Sequence, residues 1–273
     1  MTDYCRIKYS RAASAISVTV LLASCARPPI FAGEAACDDL LPAQIFRNVQ
    51  QKYASLASYR DEGCVAVTSI DGNSIINFTT KLARPGYYRI EWARSSEATS
   101  FPSIASPEAA WSSCAYNHFL TGGKVRTEYN RDIALTHATA PSSGAAATIP
   151  QMFFKGQWGD RGEQFDDVVL CAKRQTDENV GHIDCYVFTR TSSGWTITLW
   201  IGKPDFLIHQ VQTIISTGAM RAAVAGLMGD PEQMRALHGF TFTQTHTNIV
   251  LNQQFSCSDF VPSFPLFGSA YGE

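Results

Sequence analysis

Ile45, Phe46, Val49, Tyr53 and Leu56 recur every three or four residues, which predicts an amphipathic helix across Asp38–Ser58 with Asp38 or Asp39 near its start. The period then drops to two. Cys64, Ala66 and Thr68 alternate with Val65 and Val67, Asp71-Gly72-Asn73 signals a hairpin turn, and Ile76, Phe78, Thr80 and Leu82 form one face of the returning strand. Pro85-Gly86 turns the chain again, into Tyr88, Ile90 and Trp92. A helix followed by an antiparallel meander opens the fold.

Trp111–Leu120 and Val125–Tyr129 flank Thr121-Gly122-Gly123 and predict a further hairpin. Between Asp132 and Phe154 the composition shifts to Ala, Ser, Thr and Pro, which strands disfavour, so short helices or a loop are expected there. Strand-like alternation resumes at Val168–Cys171, Ile183–Arg190, Trp195–Ile201, Phe206–Ile215 and Phe240–Asn248. Ala219–Leu237 is rich in Ala and Met, is broken at Asp230-Pro231, and reads as a helical or flexible insertion over residues 219–238. No repeat of fixed period is present. About ten strands with a few helical segments predict a mainly β, α+β domain in which one antiparallel sheet curls round apolar material and helices cap it.

Composition supports a packed core. Of 273 residues, 45% are hydrophobic and 17% charged, which excludes wholesale disorder. A net charge of −2 with no long Lys/Arg run gives nucleic acid no electrostatic footprint. The N-terminus adds an address. Arg6, Lys8 and Arg11 precede an uncharged run, Ala12–Ser24, whose thirteen residues reach only about 20 Å as a helix, short of the ~30 Å hydrocarbon core. That length favours a signal peptide over residues 1–24.

Its end, Leu22-Ala23-Ser24-Cys25, resembles a bacterial lipobox, which implies acylation of Cys25 and a membrane contact through an N-terminal lipid anchor. Ala26 at the following position then implies outer-membrane sorting, with the protein facing the periplasm and residues 25–36 as a tether before a domain at 37–273. The alternatives are an ordinary secretory signal cut near Ala32–Ala36, giving a periplasmic protein, or an uncleaved anchor.

With Cys5 in the signal and Cys25 acylated, Cys37, Cys64, Cys114, Cys171, Cys185 and Cys257 remain, an even number suited to disulfides in an oxidising compartment. Cys171 and Cys185 flank the polar, turn-like Lys173–His182 and are the plausible cross-hairpin bridge; sequence pairs none of the other four. No C-x-x-C or H-x-x-x-H spacing suggests a metal. Nucleophile-elbow, Walker and H-E-x-x-H motifs are missing, and His118, His137, His182, His209, His238 and His246 are scattered. No catalytic residue, metal or cofactor is expected, although a His–acid pair remote in sequence leaves no motif.

The stretch from Phe78 to Trp92, a strand running through Arg84-Pro85-Gly86 into an aromatic strand, resembles the strand–turn–strand signature of the LolA/LolB-like lipoprotein-carrier superfamily. Tyr53-Ala54-Ser55-Leu56-Ala57-Ser58-Tyr59 resembles the exit of that family's leading helix. Thr241–Pro262, with Asn248, Phe255 and Pro262, resembles its closing segment. The resemblance covers roughly Asp38–Pro265. It implies a strongly curved, unclosed half-barrel with a helical lid over a hydrophobic cavity, and a lipid or an acylated lipoprotein as partner. It further implies that Arg84 ties the sheet to the lid and that Tyr88 is a cavity aromatic, with Phe78, Leu82, Ile90 and Trp92 as further lining. A sensor or interaction module of the envelope on the same fold, with no transported ligand and an unspecified protein partner, is the alternative. The lipid anchor, the six mature cysteines and the 219–238 insertion depart from the carriers' pattern.

Overall fold

Helix α1 spans Pro42–Ser55, a shorter segment than the apolar periodicity suggested. Pro42 occupies the first helical position, where its missing N–H costs nothing, and the Gln44 side chain accepts the Leu41 N–H at 2.8 Å. At the other end Leu56 turns extended, so that Ser58 already belongs to a strand. In the computed structural model, residues 40–70, 72–96, 107–113, 116–158, 163–164, 172–224 and 238–264 are described. The signal, the tether, Cys25, Cys37, Asp38, Asp39, Asp71, Cys114, the stretch Val168–Cys171 and residues 225–237 lie outside them.

A meander of six strands follows: β1 (Ser58–Ser69), β2 (Gly72–Ala83), β3 (Tyr87–Ser96), β4 (Glu108–Ser112), β5 (Asn117–Thr121) and β6 (Lys124–Glu128). Trp111–Leu120, expected as one strand, contains two, β4 ending at Ser112 and β5 beginning at Asn117, with the Ser113 N–H donating to Tyr116 O at 2.8 Å between them. Gly122 and Gly123, at φ +55° and +75°, make the left-handed two-residue turn that matches the twist of β5 and β6. The Ala/Ser/Thr-rich stretch folds into helices α2 (Arg131–Thr139) and α3 (Thr148–Lys155).

Small strands β7 (Gln157–Trp158) and β8 (Glu163–Gln164) pair with each other, and β9 (Lys173–Arg174) pairs with β11. β10 (Glu178–Val180), β11 (Ile183–Ser192), β12 (Trp195–Gly202) and β13 (Ile208–Ile215) lead to helix α4 (Thr217–Val224), which overlaps the start of the expected insertion, and then to β14 (Phe240–Leu251). The main sheet has 12 strands, all neighbours antiparallel. Its order is β10-β11-β12-β13-β14-β1-β2-β3-β4-β5-β6, with β10 and β6 as unjoined edges.

One hydrophobic cluster contains inward residues of the strands from β11 through β5 together with α1, α2 and α3. Laid flat, those nine strands would be about 38 Å wide, more than the roughly 21 Å length of a 14-residue helix. The sheet therefore curves, and the helices fill its concave side. Ile45, Phe46, Val49 and Tyr53 are the buried stripe of α1, and Phe46 lies 4.6 Å from Phe188 on β11. The fold is mainly β and unclosed, with a helix-filled hollow.

Candidate functional site

On β2 alternate residues from Ser74 to Leu82 are buried, and on β3 Tyr88, Ile90 and Trp92 are. Register places Phe78 opposite Trp92, Thr80 opposite Ile90 and Leu82 opposite Tyr88. The five residues singled out as cavity lining (Phe78, Leu82, Tyr88, Ile90 and Trp92) therefore form one continuous patch on the concave face. All five are buried within the core cluster that includes the helices. The Trp92 indole N–H donates to the buried Glu108 carboxylate at 2.8 Å, whose other oxygen accepts from Thr121 Oγ1 and the Gly122 N–H. Burial raises the Tyr88 phenol pKa, and its hydroxyl has no protein partner.

Arg84 sits at the β2–β3 turn, where the Arg84–Pro85 peptide is cis. Its Nε donates to Leu56 O at 3.0 Å, and its Nη2 donates to Tyr53 O at 3.3 Å and to Phe153 O at 2.6 Å. The guanidinium also lies 4.7 Å from the centre of the Phe153 ring. Helix ends leave carbonyls unsatisfied and carry partial negative charge, and a five-donor cation suits two such ends at once. One side chain thus joins the C-termini of α1 and α3 to the rim of the sheet.

The sheet's middle carries polar groups on the same inner face. A β-bulge breaks the β1–β14 register between Arg60 and Glu62. Asn248, left-handed at φ +51°, takes up the extra length and donates to Glu62 at 2.9 Å. The bulge adjoins Asp61, fully buried, whose Oδ2 accepts from the Tyr59 hydroxyl at 2.9 Å and pairs with His246 Nδ1 at 2.5 Å. His246 is 3% exposed, and its ring meets Phe78 edge-on at 5.5 Å. Gly63 lies opposite both His246 and Phe78, and a Cβ there would collide with the Phe78 ring and with Thr245 O.

Asp61 Oδ1, His246 Nε2 and Gln244 Nε2 are buried without a hydrogen-bond partner. Tyr53 on α1 lies 6.1 Å from Tyr59, ring to ring, and Thr148 at the start of α3 donates to Gln244 at 3.0 Å. Burial, reinforced by the Asp61 charge, raises the pKa of both tyrosines; only for Tyr53 does the Ile208 N–H oppose it.

Sequence reading missed this cluster although a signal was there: Asp61 is in phase with Tyr59, Val65 and Val67, and His246 with Gln244. A charged residue in phase with an apolar face is a buried charge. Extending the helix to Ser58 and starting the strand at Cys64 hid that phase.

The convex face is organised differently. After β14 the chain crosses the outside of β2–β4 as a strap, residues 252–264. It includes a 3-10 turn at Cys257–Phe260. Lys81 pairs with Asp259 at 3.0 Å, Arg89 donates to Val261 O at 2.6 Å, and the Ser263 N–H and hydroxyl donate to Glu91. Phe260 is buried beside Tyr87, and Phe264 packs on Ala109, Trp111 and Leu120.

Of the bridge expected between Cys171 and Cys185, Cys171 lies outside the described residues. Cys185 is a free, buried thiol that donates to Ile183 O at 3.4 Å, with burial pushing its pKa up to about 11. Cys64 and Cys257 are free as well. Two more of the scattered histidines have partners nearby in sequence: His118 lies between Ser113 and Thr127, at 3.0 Å from each hydroxyl, and His209 is 3.0 Å from Asp205. Among the described residues no three His, Cys, Asp or Glu side chains converge as metal ligands, and no helix is long and apolar enough to cross a membrane. At the rim remote from Arg84, a cleft of about 360 Å³ is lined by Ile70, Ile214, Phe240 and their neighbours.

No protein-family model matches the sequence, and no curated protein matches it. Solved structures do. The chain is similar to LprF from Mycobacterium bovis at 10% identity and a TM-score of 0.41, over 79% of this chain and 95% of that one. It is similar to a LolA superfamily protein from Nitrosomonas europaea at 10% identity and a TM-score of 0.33, over 82% and 98%. It is also similar to MucB in the Pseudomonas aeruginosa MucA/MucB complex at 7% identity and a TM-score of 0.42, over 81% of this chain and 60% of that one.

Proposed function

We propose that this chain is a bacterial envelope protein that holds lipid or acyl chains between its concave sheet and the helices laid on it, for carriage or reception. The Arg84 clamp carries the reading. The interior is apolar and covered by α1 and α3, and three hydrogen bonds from one side chain fasten the ends of those helices. A covering held chiefly by apolar contact, the Arg84 clamp and a few single hydrogen bonds such as Thr148 to Gln244 and the Ile208 N–H to Tyr53 can lift and re-seat more readily than a core locked by many directional bonds.

The residues resembling the lipoprotein-carrier signature support the same reading, as does the lipobox-like Leu22–Cys25; with Ala26 after the cysteine, the reading puts the protein at the outer membrane facing the periplasm. In this reading the chain binds and does not catalyse, and its partner is a lipid or an acylated lipoprotein. The test is native mass spectrometry with lipid extraction on the full-length protein purified from an envelope fraction. A co-purifying acyl species near one per chain is the expected result. A ligand-free mass, with no uptake of a fluorescent acylglycerol, would overturn carriage and turn attention to a sensor with a filled interior.

A further inference from the structure

We propose that the interior selects amphiphiles by their head as well as their chain: it takes a neutral, hydroxyl- or amide-bearing head against Asp61, His246 and Gln244, and discriminates against a bare carboxylate. The proposal rests on the lipid-binding reading and names its ligand class. A hollow meant only for acyl chains has no use for polar atoms on its lining. Here three buried side chains, each at most 4% exposed, present Asp61 Oδ1, His246 Nε2 and Gln244 Nε2 with no protein partner.

Their placement is at the seam that the lid covers. Tyr59, beside Asp61, faces Tyr53 of α1, and Gln244 receives the Thr148 hydroxyl of α3, so lifting those two helices uncovers the polar group and the apolar patch together. Their chemistry sets the preference. Asp61 Oδ2 already takes the Tyr59 hydroxyl and the His246 ring, leaving Oδ1 with lone pairs only, which calls for a donor. The Gln244 amide offers N–H groups to an acceptor. His246 and Gln244 are two residues apart on one face of β14, a separation of about 7 Å, which suits a glyceryl or amide head carrying both functions. A fatty-acid carboxylate brings acceptors only, and it brings them to a buried carboxylate.

The experiment compares monooleoylglycerol with oleate, identical in chain, by calorimetric titration of the full-length protein and of two variants, Asp61→Asn and Gln244→Met. Both substitutions conserve volume, and folding of each is checked by circular dichroism, so one misfolded variant leaves the other to read. Wild type should bind monooleoylglycerol about tenfold or more tightly than oleate, and the preference should shrink to about threefold or less in either variant. Equal or tighter binding of oleate overturns head selection while leaving lipid binding intact. A preference that survives both substitutions overturns the assignment to these residues. Binding of neither probe overturns the proposal together with the reading beneath it.

Discussion

The two faces of the sheet are covered by different physics. On the concave side, α1 and α3 lie on large apolar side chains and are fastened at their ends by Arg84, with single further hydrogen bonds from Thr148 to Gln244 and from the Ile208 N–H to Tyr53. On the convex side, the strap is fixed every second or third residue by an ion pair or hydrogen bond, at Asp259, Val261 and Ser263, with Phe260 and Phe264 inserted between them. Apolar contact is nondirectional and re-forms after displacement, while a row of specific partners fixes one position. The inner covering rests mainly on nondirectional contact, the outer one on a row of directional partners.

The sharpest way to break that comparison is through the buried pair at its centre. His246→Ala leaves the Asp61 carboxyl inside the protein without its main partner and should cost about 3–5 kcal/mol, measured by urea unfolding. A loss below about 1 kcal/mol would show that the pair is hydrated and that the interior is wetter than its packing indicates.

Arg84→Leu comes next. It should cost about 1–2 kcal/mol globally, since the released carbonyls can meet water at the rim. Amide hydrogen exchange in the last turns of α1 and α3 should accelerate about tenfold or more, with the strap unchanged. Uniform acceleration over the whole chain would reduce Arg84 to an ordinary structural residue.

The strap offers the converse. The Ser256 N–H, the Lys81 ammonium and the Ser256 hydroxyl hold the Asp259 carboxyl well below the usual carboxylate range. A depressed folded-state pKa contributes stability that is fully present above the unfolded value of about 4 and is lost as pH falls below it. Melting curves from pH 7 to pH 2 should therefore show Asp259→Asn converging on wild type at the acid end. Parallel curves throughout would remove the ionic component.

The smallest effect is chemical. With its pKa near 11, native Cys185 should resist alkylation at pH 8, where only about one thiol in a thousand is ionised, while exposed Cys257 reacts. Unfolding without reductant should expose Cys185 to label. If it stays unlabelled, Cys185 is in a disulfide, for which Cys171 is the partner the sequence suggests.

Alternation in β2 and β3 was legible because those strands bury one face completely, and period two then fixes every side chain's direction. Arg84 was legible as a clamp only through family resemblance, since a turn arginine has no periodicity of its own. The end of α1 was misread for a physical reason. Leu56 continues the apolar stripe and is buried, so its hydrophobicity says core without saying helix. The Asp61–His246 pair joins residues 185 positions apart, and the bulge at Asn248 shifts the phase between them, so no short window of sequence contains the contact. For Cys171 and Cys185 proximity along the chain suggests a bond, but spacing carries no information on geometry; Cys185 is a buried thiol and Cys171 lies outside the described residues.

A sheet that never closes keeps two raw margins, each a row of backbone amides and carbonyls able to recruit a strand from another molecule. At one margin, β6 is five residues long and carries Lys124, Arg126 and Glu128; at the other, β10 runs for only three. Charge at one border and brevity at the other deny a second copy any run on which to zip. The open curvature thus comes with borders that work against edge-to-edge pairing of one copy with another.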